Sequence, residues 1–166
     1  MILFFLMSFL TGTGVHADLP KVVQEVERIN SMRESLVAGV ATNKVDQNLF
    51  KAVCAPVGQE AKRVAQSNSW IFRQASHKAR NPENKANSLE KKMIQRFLKD
   101  KELQSLWSEH QGQSHYFRRI VVQEKCLNCH GAKSKRPDFV KEKYPKDQAF
   151  DFKVGDLRGL YHVTFQ

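Results

Sequence analysis

Apolar residues recur every three or four positions from Leu19 to about Asn43, with charged residues between them. This period is typical of a helix that buries one face. A second helix is predicted from about Gln47 to Ala65. Pro56 should kink or restart it just after Cys54, because proline lacks the amide that a helix interior needs. The apolar positions of the first helix are Val22, Val26, Ile29, Met32, Leu36 and Val40.

Strand and helix patterns alternate in the remainder of the chain. Residues 70–76 predict a short strand, and residues 77–86 form a polar loop. Asn87 with Glu90 three residues later is a capping-box signature, which opens a third predicted helix that runs to about His110. Residues 115–123 predict the clearest strand, residues 137–143 a short helix, and residues 160–165 a terminal strand. The expected fold class is α+β, with N-terminal helices followed by a small antiparallel sheet.

The N-terminus carries a leader pattern. Residues 2–10 form an almost unbroken apolar run, and Val15-His16-Ala17 is a small-residue site of the A-x-A type. We therefore predict a signal peptide over residues 1–17, cleavage after Ala17, and a single mature domain over residues 18–166 in the periplasm. The run is shorter than the about 20 apolar residues that span a bilayer. No Lys or Arg precedes Lys21, and an uncleaved anchor is the alternative.

The chain has 27 Lys and Arg against 17 Asp and Glu, which gives a formal net charge of +10. The leader contains none of these residues, so the mature protein keeps the whole charge. A positive field can steer an acidic partner protein or favour an anionic membrane surface; the other interpretation is a merely solvated surface. We expect a soluble mature protein, with peripheral membrane contact as an option. No nucleic-acid-binding motif occurs in the sequence, and we expect no nucleic-acid partner.

Cys126-Leu127-Asn128-Cys129-His130 is a C-x-x-C-H pentapeptide, the attachment sequence of haem c. Two thiols three positions apart can both form thioethers with vinyl groups on one porphyrin edge, and the adjacent histidine can bind the iron. A redox disulfide is typical of a thioredoxin-like unit, and a zinc site needs a second Cys/His pair. Neither context is present. We predict one covalent haem c on Cys126 and Cys129, with His130 as proximal iron ligand.

Cys54 is the one cysteine left over. An unpaired thiol is unusual in an exported protein, which makes it a candidate for the sixth iron ligand, although a buried inert thiol is the ordinary interpretation. A lone Met or His on an amphipathic element usually belongs to the core or the surface, but a strand histidine could also face the haem. The candidates are Cys54, Met32, Met93, His77, His110, His115 and His162.

Several short motifs follow one another in order between Ala52 and Tyr161. They are Cys54-Ala55-Pro56, Ser76, Arg80-Asn81-Pro82-Glu83-Asn84, Leu89-Glu90, Tyr116-Phe117, the haem pentapeptide with Gly131, Tyr144-Pro145-Lys146-Asp147-Gln148-Ala149 and Gly155-Asp156-Leu157-Arg158-Gly159.

This set resembles the haem-c domains with a PAS-like fold that were long classed as a domain of unknown function. Such domains occur as stand-alone exported proteins and as sensor modules of bacterial receptors. The resemblance implies a PAS-like antiparallel sheet with covalent haem c. It also implies that the iron is ligated by His130 and Cys54. The sequence departs from the family pattern twice, since Ala55-Pro56 directly follows Cys54 and Gln74 stands where an arginine is expected.

Two functions compete. A periplasmic mono-haem c-type cytochrome that transfers electrons needs only a haem edge near the surface and a basic face for a redox partner. The alternative is a haem-based redox or gas sensor module that acts through a separate signalling partner. The family resemblance favours the sensor, and so does a thiolate ligand whose bond to iron weakens on reduction. A peroxidase would need an open distal side with an acid–base residue. Since Cys54 would fill that side, we expect that the protein is not an enzyme.

Overall fold

The structure is a computed structural model that describes residues 18–41 and 45–166. The predicted leader lies outside the described residues. No helix in the described part is long and apolar enough to cross a membrane. The helices are α1 (Leu19–Ala38), α2 (Gln47–Val53), α3 (Ala55–Asn68), α4 (Ser88–Lys99), α5 (Leu127–His130) and α6 (Asp138–Lys143), with 3-10 turns at Pro82–Asn84, Glu124–Cys126 and Lys133–Lys135; the strands are β1 (Ile71–Ala75), β2 (Ser105–His110), β3 (Gln113–Val121) and β4 (Leu157–Phe165).

The predicted interruption at Pro56 is confirmed. Cys54 is the junction residue between α2 and α3, and its amide donates to the Phe50 carbonyl at 2.9 Å. Pro56 lies in the first turn of α3, where its missing amide has no helical partner to lose. The first helix ends at Ala38, earlier than predicted, and the predicted end at Asn43 lies outside the described residues.

The third helix begins as predicted, since the side chain of Asn87 accepts the Glu90 amide and Glu90 accepts the Asn87 amide. The prediction that this helix continues to about His110 is wrong. The Asp100 carboxylate accepts the amide of Leu103 at 3.1 Å and turns the chain out of the helix. Residues 105–110 then form strand β2, because pairing with β3 satisfies their backbone groups better than an unsupported helical turn.

A tight hairpin joins β2 to β3. Gln111 and Gly112 occupy its turn with φ values of 52° and 71°, the left-handed conformation of a two-residue hairpin loop. The sheet order is β1-β4-β3-β2, and every pairing is antiparallel. The α+β prediction, with N-terminal helices and an antiparallel sheet, is confirmed.

Helices cover both faces of the sheet. Helices α1 and α3 pack on one face through fully buried side chains such as Val26, Ile29 and Val64. Helix α4 packs on the other face, where Ile94 and Phe97 are 1% and 0% exposed. Alternating residues of β3 and β4 therefore belong to two different environments.

The beginning of β4 approaches the C-terminal end of β1 very closely. A Cβ atom at Gly159 would lie 2.4 Å from the Ala75 carbonyl oxygen, so only glycine fits there. Beside it, the Ser76 hydroxyl donates to the Arg158 carbonyl at 2.8 Å. This approach brings β1 and β4 together at the edge of the site described next.

Candidate functional site

A cleft of about 270 Å³ lies between α2, the sheet and the turn that carries the C-x-x-C-H motif. Its lining includes all four of the predicted site residues, Cys54, Cys126, Cys129 and His130. Most of the remaining wall is apolar, with contributions from Val37, Val40, Leu49, Phe50, Val57 and Ile120. The structure therefore collects residues distant in sequence around one largely apolar space.

The C-x-x-C-H motif forms one continuous helical turn, from the 3-10 turn at Glu124–Cys126 into α5. Positions three and four apart on a helix lie on one side, so Cys126, Cys129 and His130 can face the cleft together. Gly131 closes the turn with its amide 2.8 Å from the Leu127 carbonyl. A Cβ atom at Gly131 would lie 2.6 Å from the same oxygen, so a larger residue would distort the turn.

The His130 ring is oriented by a backbone carbonyl. Its Nδ1 lies 2.7 Å from the Ala149 oxygen, which can only accept, so Nδ1 carries the proton and Nε2 the lone pair. Arg80 lies 3.3 Å from the same Nδ1, but a guanidinium and a protonated nitrogen are both donors, so this contact is electrostatic only. Burial, with the charges of Arg158 and Arg80, lowers the pKa of His130 well below its ordinary value. The imidazole is thus neutral, with Nε2 available to a metal.

The buried carboxylate of Asp147 stabilises this arrangement through the residues that contact the His130 ring. The Asp147 side chain is 0% exposed and forms ion pairs with Arg136 at 3.0 Å and with Nε of Arg80 at 3.4 Å. It also accepts the Ala149 amide at 2.8 Å. Arg80 in turn donates to the Cys129 carbonyl at 2.7 Å. Asp147 therefore connects the carbonyl that orients the His130 ring with the helix that carries the two motif cysteines.

Cys54 faces the cleft and is exposed there. The protein atoms packed around the sulfur partly desolvate it, and this desolvation raises the pKa of the Cys54 thiol to about 11. Proximity to Cys129 and Cys126 raises it further, whereas Arg80 and Arg158 act in the opposite direction. The two arginines do not compensate for the desolvation, so the thiol is protonated at neutral pH.

Arg158 is another of the cationic side chains at the cleft. Its Nη1 donates to the Ser76 hydroxyl at 2.9 Å and to the Lys78 carbonyl at 3.2 Å. Burial, followed by repulsion from Arg80, lowers the pKa of Arg158 to about 10. The side chain remains charged at neutral pH, and a buried cation of this kind favours an anionic group nearby.

The other candidate iron ligands do not line the cleft. Met93, His115 and His162 lie buried on the α4 side of the sheet, and His77 lies beside Phe152. Sequence reasoning assigned no role to Arg80, Asp147 or the Ala149 carbonyl. The only signal for them was their place in the short motifs around residues 80 and 147.

A family model described as Tll0287-like matches residues 18–165 of the chain. The chain belongs to the Tll0287-like family. Its fold is similar to the crystal structure of the cyanobacterial heme-protein Tll0287, with a TM-score of 0.82 and 45% sequence identity. The match covers 89% of this chain and 94% of that chain. No curated protein matches the chain.

The resemblance to a haem-domain family that was inferred from the sequence agrees with membership in the Tll0287-like family, because the solved relative is described as a heme-protein. The PAS-like description of the sheet and the ligation by His130 and Cys54 stay predictions. The donor set in the cleft fits a haem: two thiols at attachment spacing, a neutral imidazole with a free Nε2, and an apolar wall with arginines.

Proposed function

We propose that this protein is a periplasmic mono-haem c-type cytochrome that binds one haem c covalently and transfers electrons. The observation that carries the proposal is the position of Cys126, Cys129 and His130 on one helical turn at the wall of a largely apolar cleft. Membership in a family with a solved heme-protein supports it. We include in the proposal a signal peptide cleaved after Ala17.

The residues of the cleft have separate tasks in this proposal. The Cys126 and Cys129 thiols would form the two thioethers, and Nε2 of His130 would bind the iron. The hydrogen bond from its Nδ1 to the Ala149 carbonyl holds the ring orientation and raises the basicity of Nε2. Arg33, Arg80 and Arg158 also line the cleft and would provide cations for the propionates. The bound group supplies a one-electron iron couple, which the protein alone lacks.

We propose Cys54 as the ligand opposite His130. It lines the same cleft, which none of the other predicted candidates does. The thiol has a pKa of about 11 in the protein alone, so its thiolate needs a neighbouring cation, and a ferric ion supplies one. An anionic ligand favours ferric over ferrous iron and lowers the reduction potential relative to a His/Met site. A thiolate in this position would also block the open side that a peroxidase requires, so we propose no enzymatic activity.

A second candidate function is a redox or gas sensor that acts through a signalling partner, and the raised pKa of Cys54 favours it. If a bound iron held Cys54 as a thiolate, a thiol with this pKa would take up a proton once that positive charge decreased. The junction between α2 and α3, where Cys54 lies, would then no longer be attached to the opposite wall of the cleft. A partner would detect this change at the junction.

We propose an acidic redox partner and locate its contact beside the haem motif. The Phe150 ring is surrounded by three cations, with Arg136 at 4.8 Å, Lys133 at 5.2 Å and Lys78 at 5.8 Å from its centroid. Lys133 follows His130 by three positions. Asp147 neutralises Arg136, but Lys133 and Lys78 are part of the net charge of +10, which would speed association with a negative surface at low salt. Binding to anionic vesicles instead would favour a peripheral membrane role.

Acid–acetone extraction tests the attachment. Colour should stay with the protein, and the intact mass should exceed that of the apo chain by one haem. The double variant Cys126→Ser/Cys129→Ser should lose covalent haem, whereas the matched variant Cys54→Ser should retain it. Haem that stays covalently attached to the double variant would contradict the assignment.

N-terminal sequencing of the exported protein tests the leader. The first residue found should be Asp18, and a cytoplasmic holoprotein that still begins with Met1 would contradict the leader.

Optical spectra of Cys54→Ser test the sixth ligand. The ferric spectrum should shift toward high spin, and the reduction potential should rise because the anionic donor is gone. An unchanged low-spin spectrum would assign the position to another residue.

A redox titration with added CO distinguishes the electron carrier from the sensor. Retention of both ligands through the cycle supports the electron carrier, and CO uptake with loss of the thiolate on reduction supports the sensor.

A further inference from the structure

A buried cluster on the α4 side of the sheet is separate from the cleft. It contains His115 on β3, His162 and Thr164 on β4 and Glu90 at the start of α4, which are 6%, 3%, 7% and 0% exposed. Nδ1 of His115 and Nε2 of His162 lie 3.0 Å apart. Two imidazole nitrogens at this distance need a hydrogen between them.

The outer nitrogens of both rings face groups that only accept. Nδ1 of His162 lies 2.9 Å from the Glu90 carboxylate. Burial by itself would raise the pKa of that carboxyl, but hydrogen bonds from His162 and Arg73 and from the backbone outweigh it and lower the pKa to about 2. Nε2 of His115 lies 3.3 Å from the His110 carbonyl. Each outer nitrogen therefore carries a proton if its contact is a hydrogen bond.

Two neutral rings with protonated outer nitrogens would place two lone pairs 3.0 Å apart. The Thr164 hydroxyl lies 3.1 Å from the His115 nitrogen and 3.3 Å from that of His162, but its single hydrogen can be donated to only one of them. The second lone pair would stay unsatisfied in a buried place, which destabilises the fold. A cation between the rings removes this conflict.

We propose that His115 and His162 form a buried cation-binding site and that its ligand is one proton, shared between the two facing nitrogens. The 3.0 Å separation fits an N–H···N hydrogen bond. A zinc ion bonded at about 2.0–2.1 Å to each nitrogen in tetrahedral geometry would hold them roughly 3.3–3.4 Å apart. Within residues 18–41 and 45–166, no group of three or more His, Cys, Asp or Glu side chains could hold a metal ion.

The surroundings place the positive charge on His162. Burial lowers the pKa of His115, which makes it the neutral acceptor. The Phe117 ring stacks on His162 with centroids 4.3 Å apart, and an aromatic face favours a cation. The negative counter-charge is Glu90, which His162 shares with Arg73 at 2.8 Å.

Two further titratable or charged residues lie on the same face of the sheet as the pair. The His110 imidazole at the end of β2 lies 6.1 Å from the His115 ring, between centroids. Arg119, farther along β3, donates to the carbonyls of Lys101 and Leu103. A proton on the pair links the N-terminus of α4 to β3 and β4. Its loss as the pH rises leaves the facing lone pairs unsatisfied, so this contribution to stability is present at neutral pH and decreases toward alkaline pH. Below a pH of about 6.5 the unfolded chain protonates both rings whereas the folded pair holds one proton, so the contribution also decreases toward acid pH.

NMR of the histidine ring nitrogens in the full mature chain tests the proposal, because protonated and unprotonated nitrogens have well-separated ¹⁵N shifts. Three of the four nitrogens of His115 and His162 should be protonated at neutral pH. Two protonated and two unprotonated nitrogens would overturn the proposal. Stoichiometric zinc that survives dialysis against a chelator would also overturn it, by naming a metal as the ligand. Both readouts use the unmodified protein, so neither depends on the folding of a variant.

A variant comparison adds a stability readout. His115→Phe should lose urea resistance relative to the parent chain at neutral pH, and the difference should shrink as the pH is raised. A difference that is constant over the pH range would contradict a shared proton. His77→Gln, at an exposed histidine outside the cluster, is the control. Because burial lowers the pKa of His77, this variant should differ from the parent chain only at acid pH and follow it at neutral and alkaline pH.

Discussion

Replacing Asp147 with asparagine should strongly destabilise the protein. The Asp147 side chain is fully buried and neutralises two guanidinium groups, those of Arg80 and Arg136, whose side chains are only 9% and 12% exposed. Asparagine keeps the shape and can still accept the Ala149 amide, but it removes the charge. Breaking a buried ion pair on one side costs about 3–5 kcal/mol, because the remaining charge has no partner.

The expected loss is measurable by urea unfolding of the mature chain, followed by far-ultraviolet circular dichroism. With a denaturant slope of about 2 kcal/mol per M, the midpoint should fall by roughly 1.5–2.5 M. Asp138→Asn is the matched control, since that side chain is 86% exposed and pairs only with Lys141; its midpoint should not move measurably. Equal midpoints for both variants would refute the reasoning, because burial of the pair would then carry no energetic weight.

Three further predictions follow from the same physical arguments. Gly131→Ala should lower the yield of covalent holoprotein, because its Cβ would lie 2.6 Å from the Leu127 carbonyl, whereas Gly58→Ala, with nothing within 4 Å, should not; equal yields would contradict this. Phe97→Ala should lower the free energy of unfolding by about 3–5 kcal/mol, since Phe97 is fully buried; a loss under about 1 kcal/mol would show that the site collapses. The pKa of Glu90 falls from 4.5 to about 2 on folding, so its contribution of roughly 3 kcal/mol should be present above pH 4.5 and lost toward pH 2. Glu90→Gln should remove this acid dependence, and an unchanged pH profile of unfolding would argue against it.

Local signals predicted most of the helices and the late strands correctly. The capping box at Asn87 and Glu90 and the proline after Cys54 act within a few residues, so they are readable from sequence. Strand β2 was mispredicted because Leu106 and Trp107 also fit a helical spacing. What decides this segment is its pairing with β3 across the hairpin, because the hydrogen bonds of a strand go to another strand and not to its own neighbours along the chain.

The candidate site divides in the same way. The haem pentapeptide is contiguous, and its chemistry follows from residue types at fixed spacing, so the sequence alone predicts Cys126, Cys129 and His130. For the sixth iron ligand, the sequence indicated Cys54 only as one candidate among several Met and His residues. The fold distinguishes these candidates, because strand alternation puts His115 and His162 on the α4 face of the sheet while Cys54 lines the cleft.

By itself, the sequence determined the C-x-x-C-H motif, the net charge, the main helix starts and the fold class, because each depends on composition or on neighbours along the chain. Only the tertiary structure decided which face each strand residue occupies, that Asp147 lies behind the haem motif, and that two histidines meet in the interior. These features depend on burial and on distances between segments far apart in sequence. A hydrogen bond or a pKa takes its value from such distances, which no local pattern specifies.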